Sequence, residues 1–275
     1  MGFEYYNHAL VYNGAPGDAV TAAPRELKQL LKADRRAWFL RYTTDYDSAV
    51  ETPWWFCVKN TPFHIADLKS KRRNVVKKGI ENFAVRPILP TEYTADFCEL
   101  LNDAFAGYRT VRVFSAQEVE ERCAAMEAAE GSKVFGAFSL DEPERLRGYL
   151  WCDCDDRCVR FVEQHVMRED ERKQINAALV YEACRYFEPF LNAGGCLLDG
   201  ERTVLHDSNF QDYLIKYFGF RRAYCRLHIL YRFPLGLAVW LCYPIRKLIF
   251  RGKGRLIEMA SAILRMEEAR RGCLR

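Results

Sequence analysis

Alternating apolar and polar residues mark a series of strand-like segments in the second half of the chain. Five segments are predicted as strands, namely 133–139, 147–154, 159–166, 196–199 and 224–231. Between them, apolar residues recur every three to four positions, which predicts helices over 174–190 and 209–217. The order of these elements predicts a mixed α/β (α+β) domain with a strand–loop–helix unit at its centre.

The first half of the chain predicts a further set of elements. Aromatic and β-branched residues cluster in three predicted strands, 37–43, 54–59 and 83–88. Helical periodicity covers four segments, 25–32, 69–82, 94–105 and 116–128. Ser115 and Glu118 form a capping-box pattern at the start of the last helix. Residues 1–35 contain several glycines and prolines, so we expect loops there around the helix over 25–32.

The C-terminal tail has a pattern of its own. Apolar residues at spacings of three and four over 255–271 predict an amphipathic helix with a basic rim. We therefore divide the chain into an N-terminal extension over 1–82, a central domain over 83–233 and a basic helical tail over 234–275.

Composition limits the class of protein. The chain has 275 residues, of which 49% are hydrophobic, so a folded core is expected and disorder is not. Its eleven cysteines occur without a secretory signal pattern, which predicts reduced thiols in a cytoplasmic protein. The longest apolar run, 233–243, is flanked by prolines and is shorter than the about 20 residues that a spanning helix needs.

Charge is distributed unevenly along the chain. The net charge is +4, but residues 69–78 hold six basic residues and no acidic one, and residues 245–275 hold a net charge of +6. The remainder carries a net charge of −8. The sequence therefore predicts an acidic protein with two basic patches, and each patch is a candidate surface for an anionic partner.

The element order from residue 83 to residue 231, with a late helix that ends in YFGF, resembles the GNAT acyltransferase superfamily. The resemblance implies a central mixed sheet, flanked by helices, in which two neighbouring strands part. The gap between 159–166 and 196–199 would then hold an acyl donor, and the protein would transfer the acyl group to an amine. The backbone near Val166 and Met167 would contact the donor.

The segment SKRRNVVKKGIENFAVRPI resembles a second pattern, S-x-x-R-x-x-I-x-x-A-x-x-x-G, of the Fem-type aminoacyltransferases, which are built from GNAT-like halves. Arg73, Val76 and Lys77 fall near the patterned positions. This resemblance implies that the donor is an aminoacyl ester, and that residues 1–82 are a degenerate first half or an extension.

The GNAT signature for acetyl-CoA, R/Q-x-x-G-x-G/A, opens the central helix, where free N–H groups bind the diphosphate. The matching stretch here is ERKQINAAL, in which Gln174 and Asn176 replace the glycines. Arg172 and Lys173 are the cations that could meet a phosphate. Acyl-CoA held through Arg172, Lys173, Gln174, Asn176 and Asn209 is one alternative, and a different donor is the other.

Superfamily members often carry a tyrosine four residues before the glycine of the late helix, where it protonates the leaving thiolate. Here that position is Ile215, flanked by Tyr213 and Tyr217. Tyr217 is the candidate general acid, and its alternative role is aromatic packing beside Phe218.

An amine acceptor must lose a proton before it attacks, so the site needs a base. Glu163 is the candidate, on the strand beside the expected gap, and His165 lies on the same face of that strand. The polar segment 199–212 contains Asp199 and His206, and we take His206 as a further candidate catalytic residue. For each of these side chains the alternative is an ordinary structural role.

Three further observations concern ligands and partners. The spacing of Cys152, Cys154 and Cys158 is not a zinc pattern, so no metal is expected.

Residues 69–78 could bind tRNA. Residues 233–275 combine an apolar edge with cations, as in proteins at the surface of an anionic membrane. The alternative to an enzyme is a degenerate GNAT-fold protein that binds a ligand or partner.

Overall fold

The computed structural model describes residues 2–106, 112–203, 209–252 and 254–274. The strands are β1 (Phe3–Tyr6), β2 (Ala9–Tyr12), β3 (Phe39–Ser48), β4 (Trp54–Lys59), β5 (Phe83–Ile88), β6 (Ser132–Ser139), β7 (Leu146–Cys154), β8 (Cys158–Val166), β9 (Cys196–Glu201) and β10 (Arg221–Tyr231). The α-helices are α1 (Pro24–Ala33), α2 (Ser70–Asn82), α3 (Thr94–Ala106), α4 (Ala116–Ala128), α5 (Ile175–Tyr186), α6 (Glu188–Asn192), α7 (Phe210–Phe218), α8 (Leu235–Cys242), α9 (Arg246–Ile249) and α10 (Arg255–Gly272). The predicted mixed α/β class is confirmed.

The chain forms two compact units. The first contains Met1–Cys57, Glu201–Ser208 and Arg222–Arg275, and the second contains Val58–Gly200 and Asn209–Arg221. The division at residues 82 and 233 that the sequence suggested stays a prediction.

In the first unit, β1, β2, β3, β10 and the first residues of β4 follow one another in the sheet. β1 and β2 form an antiparallel hairpin, β2 runs parallel to β3, and β3 runs antiparallel to β10. Ala9, Phe39 and Val239 share one core cluster with two residues of α10, so strands and C-terminal helices pack together.

The hairpin β1–β2 corrects the sequence-based expectation of loops before residue 24. Its two-residue turn is Asn7–His8, and both residues have positive φ angles, 45° and 65°. Tight hairpins need such angles, and the usual sequence signal is Asn-Gly. Because histidine takes the place of glycine here, this hairpin lacks the usual signal.

In the second unit, the strands follow the order β9-β8-β7-β6-β5. β5 to β8 are antiparallel neighbours, and β9 is parallel to β8. On one face, Phe97 and Leu100 of α3 and Val119 of α4 pack on Phe138 and Tyr149 of the sheet. The capping box predicted for α4 is present, because the Ser115 side chain accepts from the Glu118 N–H.

The helix predicted over 174–190 is two helices. α5 ends at Tyr186 and α6 begins at Glu188, with Pro189 in the first turn of α6. Proline has no amide hydrogen and cannot continue a helix from its interior, which explains the break.

Helix α2 packs closely on the first turn of α5. A Cβ atom at Gly79 would lie 2.6 Å from the Gln174 carbonyl oxygen and 2.9 Å from the Ala178 nitrogen. Both contacts are with backbone atoms, which have little freedom to move. The absence of a side chain at Gly79 therefore sets the distance between the two helices.

We predict that Gly79→Ala destabilises the protein by about 1–3 kcal/mol, because overpacking outweighs the better helix propensity of alanine. The measurement is urea unfolding. The matched control is Lys78→Ala on the exposed face of the same helix, which should change stability by less than about 0.5 kcal/mol. Equal stability of the two variants would contradict the close packing.

Candidate functional site

Strands β8 and β9 part after a short paired stretch. Their ladder joins Cys158 to Cys196, Val159 to Leu197 and Arg160 to Leu198, and it extends no further along these described strands. β8 nevertheless continues to Val166. The edge of β8 that faces β9 therefore has no strand partner over its second half, and its backbone groups there need another partner.

A β-bulge in β8 decides which side chains face which side of the sheet. Trp151 pairs with Glu163, whereas the next residue, Cys152, pairs with Phe161, so Val162 is the extra residue. Consecutive residues of a strand point to opposite faces of the sheet, and each residue points to the same face as the residue that it pairs with on the neighbouring strand. Phe161 therefore packs on Phe220, with ring centroids 5.8 Å apart, while Glu163 points to the other face.

Glu163 lies at the centre of a polar cluster on the face that α3 and α4 cover. Its carboxylate is paired with the guanidinium of Arg122, accepts a hydrogen bond from the Tyr149 hydroxyl at 2.8 Å and lies 2.7 Å from Nε2 of His165. Its side chain is only 17% exposed. The sequence placed Glu163 and His165 on one face, and gave no signal for Arg122 or Tyr149.

This cluster determines the charge of Glu163. Burial acts to raise the pKa of Glu163, but the hydrogen bond to His165 and the positive charge of Arg122 outweigh it and lower that pKa below its usual range. A general base works best when its pKa lies near the operating pH. The contacts with Arg122, Tyr149 and His165 thus hold Glu163 as an anion, and its predicted role as the base stays a prediction.

The opposite strand of the gap carries a second acid. Asp199 follows Leu198, the last residue of β9 that pairs with β8. Burial raises the pKa of Asp199 to about 7, although a hydrogen bond with Gln211 of α7 acts to lower it. The Gln211 amide also donates to the Asp199 backbone carbonyl at 2.9 Å. Asp199 was one of several polar residues that the sequence singled out in 199–212. Burial of its carboxyl group, which raises its pKa, is what distinguishes it.

Two buried polar atoms near the gap have no hydrogen-bond partner within the described residues. They are Oε1 of Gln164 on β8 and the hydroxyl of Tyr213 on α7. The amide nitrogen of Gln164 donates to Oδ1 of Asn176 at 2.6 Å, which places Gln164 on the α5 face of the sheet. Buried polar groups usually have partners, so such atoms are candidates for ligand contacts.

The candidate acid Tyr217 is partly buried in an aromatic group. Its ring centroid lies 4.9 Å from that of Tyr213, and the ammonium of Lys216 lies 5.1 Å from its own ring. Both contacts are with the Tyr217 ring, and the role of its hydroxyl as a general acid stays a prediction. The other candidate, His206, lies outside the described residues.

The predicted donor-binding residues fall on the turn between β8 and α5 and at the start of α7. Met167 already donates its N–H to the Arg147 carbonyl at 2.9 Å, and Val166 is buried. Arg172 is exposed, and Lys173 pairs with Asp170 at 3.1 Å. Asp170 in turn is held by the buried Arg147, which anchors the turn to β7.

The first turn of α5 was the predicted diphosphate site. Gln174 has a positive φ of 69°, and its carbonyl accepts from the N–H groups of Ala177 and Ala178. Asn176 is bonded to Gln164, and Gly79 of α2 packs against this turn. Asn209 precedes α7, and its side chain makes no capping bond. Arg172 is therefore the exposed cation that remains of the predicted set.

No protein-family model matches the sequence, and no curated protein matches it. Solved structures do match. The structure of L-PGS from Bacillus licheniformis has a TM-score of 0.51 at 11% identity, over 86% of this chain and 82% of that chain. The C-terminal domain of a protein assigned as a lysylphosphatidylglycerol synthetase, from Agrobacterium fabrum, has a TM-score of 0.52 at 9% identity, over the same shares.

These similarities concern the fold. The chain shares its fold with these two structures, and the predicted architecture of a large mixed sheet flanked by helices is confirmed. Within this fold, the ladder between the described strands β8 and β9 ends at Arg160 and Leu198.

The raised pKa of Asp199 leads to a pH-dependent prediction. The unfolded chain loses this proton near pH 4 and the folded protein near pH 7, so wild-type stability falls as the pH rises through this window. Asp199→Asn removes the titration. We expect the variant to gain stability over the wild type between pH 4 and pH 7, by on the order of 2–4 kcal/mol.

The measurement is denaturant unfolding at several pH values. The exposed Asp156→Asn, which also replaces one carboxylate by an amide, is the matched control. If Asp199→Asn behaves in the same way, Asp199 is not a buried acid.

Proposed function

We propose that this protein transfers an acyl group from an activated ester or thioester to an amine, in the gap between β8 and β9. The observation that carries the proposal is the early end of the β8–β9 ladder at Arg160 and Leu198. An extended donor can hydrogen-bond to the unpaired edge of β8 as an additional strand would. The same free N–H groups can stabilise the oxyanion that forms when the amine attacks the acyl carbon.

The reaction needs two proton transfers, one from the acceptor amine and one to the leaving group, and residues on opposite sides of the gap carry them out. His165 takes the proton of the acceptor ammonium at the ring nitrogen that does not contact Glu163. The carboxylate of Glu163 fixes the ring and stabilises the imidazolium that results, while Arg122 and Tyr149 keep Glu163 ionised. A neutral amine then attacks the acyl carbon.

The leaving group needs a proton as the tetrahedral intermediate collapses. Asp199, with a pKa of about 7, is partly protonated near neutral pH and can supply it. Two titratable groups with different environments, one on each strand of the gap, match the separation of base and acid that such catalysis needs.

The donor is either an acyl-CoA or an aminoacyl ester on tRNA, and the same gap would hold the acyl part of both. For acyl-CoA, Arg172 is the cation available for the phosphates. For tRNA, the exposed Lys71, Lys77 and Lys78 of α2 form a basic face. Because α2 packs on α5 through Gly79, a polyanion on this face would lie beside the turn that follows β8.

Donor binding is the first test of this proposal. We expect acetyl-CoA, palmitoyl-CoA or a charged tRNA to raise the melting temperature, since a ligand at 100 times its dissociation constant stabilises by about 2.7 kcal/mol. Asp199→Asn should weaken the effect of that donor, and Asp156→Asn should not. A lack of response to all three donors would favour a degenerate protein that binds some other ligand.

Transfer to a primary amine, with spermidine and a glycine-ended peptide as probes, is the second test. His165→Gln should lower kcat/KM about 100-fold or more, and Glu163→Gln should shift the acid limb of the pH profile as well as lower the rate. Full activity of His165→Gln with bound donor would remove this histidine from the mechanism.

We also propose that the first unit places the enzyme at an anionic membrane surface. Leu237, Trp240 and Leu241 of α8 are 50%, 64% and 58% exposed, and Leu248 of α9 is 67% exposed. Val239, on the opposite side of α8, is buried in the core cluster. Monomeric soluble proteins seldom expose apolar side chains so close together.

The charge around these residues favours an anionic lipid surface. Between Arg232 and Gly252 the sequence has four basic residues and no acidic one. Lys247 and Arg251 are exposed beside the apolar side chains. Within the described residues, each helix is too short or too polar to cross a bilayer. The combination matches a helix that lies in the membrane interface.

Flotation with vesicles tests this placement. We expect the protein to float with vesicles that contain phosphatidylglycerol and less with pure phosphatidylcholine, and the double variant Leu237→Gln, Trp240→Gln to stay in solution. The matched control, Val50→Gln with Val113→Gln, removes two exposed apolar residues elsewhere and should float as the wild type does. If light scattering shows that the first double variant loses a dimer and not membrane binding, the surface is a contact between copies of the chain.

A further inference from the structure

Two cysteines face each other where the gap between β8 and β9 closes. Cys158 and Cys196 are the first register pair of the short parallel ladder. Their sulfur atoms are 2.8 Å apart, and both are free thiols. Adjacent strands lie about 4.8 Å apart, which falls within the range of Cα separations that a disulfide can bridge. The two side chains are therefore already close to bonding distance.

We propose that Cys158 and Cys196 are a redox modification site, and that a hydroperoxide converts them to a reversible disulfide at the closed end of the gap. The Cys158 thiolate attacks one oxygen of the hydroperoxide, the O–O bond breaks, and Cys158 becomes a sulfenic acid. The departing alkoxide or hydroxide takes up the proton that the Cys158 thiol released and leaves as an alcohol or water. The sulfur of Cys196 then attacks that of Cys158, the S–O bond breaks, and hydroxide leaves with the Cys196 proton as water. Two thiols are oxidised and one peroxide is reduced.

The surroundings of the pair fit this chemistry. The hydrogen bond between the two thiols lowers the pKa of Cys158 despite its burial, and the positive charges of Arg160 and Arg157 act in the same direction. The same bond raises the pKa of Cys196. Cys196 is only partly buried, so a small oxidant can reach the pair from its side. A stabilised thiolate next to a resolving thiol is the usual arrangement of a peroxide-sensitive site.

Other cysteines of the second unit lack these features. Burial raises the pKa of Cys154 and Cys123 to about 11 and that of Cys184 to about 12. Thiols with raised pKa values are poor nucleophiles at neutral pH, so the hydroperoxide should react first with Cys158, and Cys196 is the thiol within reach of the sulfenic acid that results.

The position of the pair gives the bond a structural effect. The cross-link would close a loop that contains the rest of β8, the turn anchored by Arg147 and Asp170, and both α5 and α6. This loop is one wall of the gap. A disulfide that closes a loop of this length restricts the unfolded chain, and we expect a rise in melting temperature of about 5 °C or more.

The experiment treats the full-length protein with dilute hydrogen peroxide at neutral pH and maps its disulfides by mass spectrometry. We expect a peptide pair joined through Cys158 and Cys196, the loss of two free thiols, and their recovery with dithiothreitol. Cys154→Ser, which removes a half-buried thiol on the neighbouring strand, should still form the bond. Cys158→Ser and Cys196→Ser should not, and their melting temperatures should not respond to peroxide.

The wild-type protein alone can overturn the proposal. If Cys158 and Cys196 both remain open to alkylation after peroxide treatment under native conditions, or if they pair with other cysteines, the two thiols only pack against each other. The test needs no acyl donor, so its outcome is independent of the acyl-transfer proposal. The test on the wild-type protein also remains valid if a serine variant fails to fold.

Discussion

The second unit depends on how far two parallel strands can stay paired. β8 is held on its other side by β7 along nearly its whole length, but β9 follows it for only three residue pairs. The bulge at Val162 comes directly after that paired stretch and bends β8. The buried pair of Arg147 and Asp170 then fixes the turn at the far end of β8. The course of β8 beyond its ladder with β9 is thus set by a bulge within β8 and by an ion pair that ties the following turn to β7.

Electrostatics around β8 decide which residue can do which chemistry. A carboxylate in a pocket that is 17% exposed would normally tend to be neutral, but Arg122, Tyr149 and His165 reverse that tendency. For Asp199, burial outweighs the hydrogen bond with Gln211, and the pKa is raised. Two carboxyl groups on neighbouring strands therefore have opposite shifts, and only one of them is suited to donate a proton near neutral pH.

Much of the fold could be predicted from the sequence because the signals were local. The bounds of β4 and β5 match the predicted strands, and the capping box of α4 is formed as expected. The hairpin at Asn7–His8 was missed because its turn lacks the usual glycine. The helix break before Pro189 was missed because it lies inside a continuous apolar repeat.

The site was harder to predict, because its partners are far apart in the sequence. Glu163 was identified from its strand position, but Arg122 lies 41 residues away and Tyr149 lies 14 residues away. The bulge, which turns Glu163 and Phe161 to opposite faces, has no sequence signal at Val162. The raised pKa of Asp199 depends on burial by α7, which the sequence placed only as the next helix along the chain.

The elements that border the gap carry several features that lower stability. Within the part of the chain that the structure describes, Gln164 and Tyr213 each leave a buried polar atom without a hydrogen-bond partner, and Asp199 holds a carboxyl group where its charge is disfavoured. An unsatisfied buried polar group costs about 1–3 kcal/mol, and natural sequences keep such costs mainly at functional sites. A bound molecule that supplied a donor to Gln164 and an acceptor to Tyr213 would recover part of this free energy. Under the acyl-transfer proposal, a donor with amide groups along its length would supply such groups.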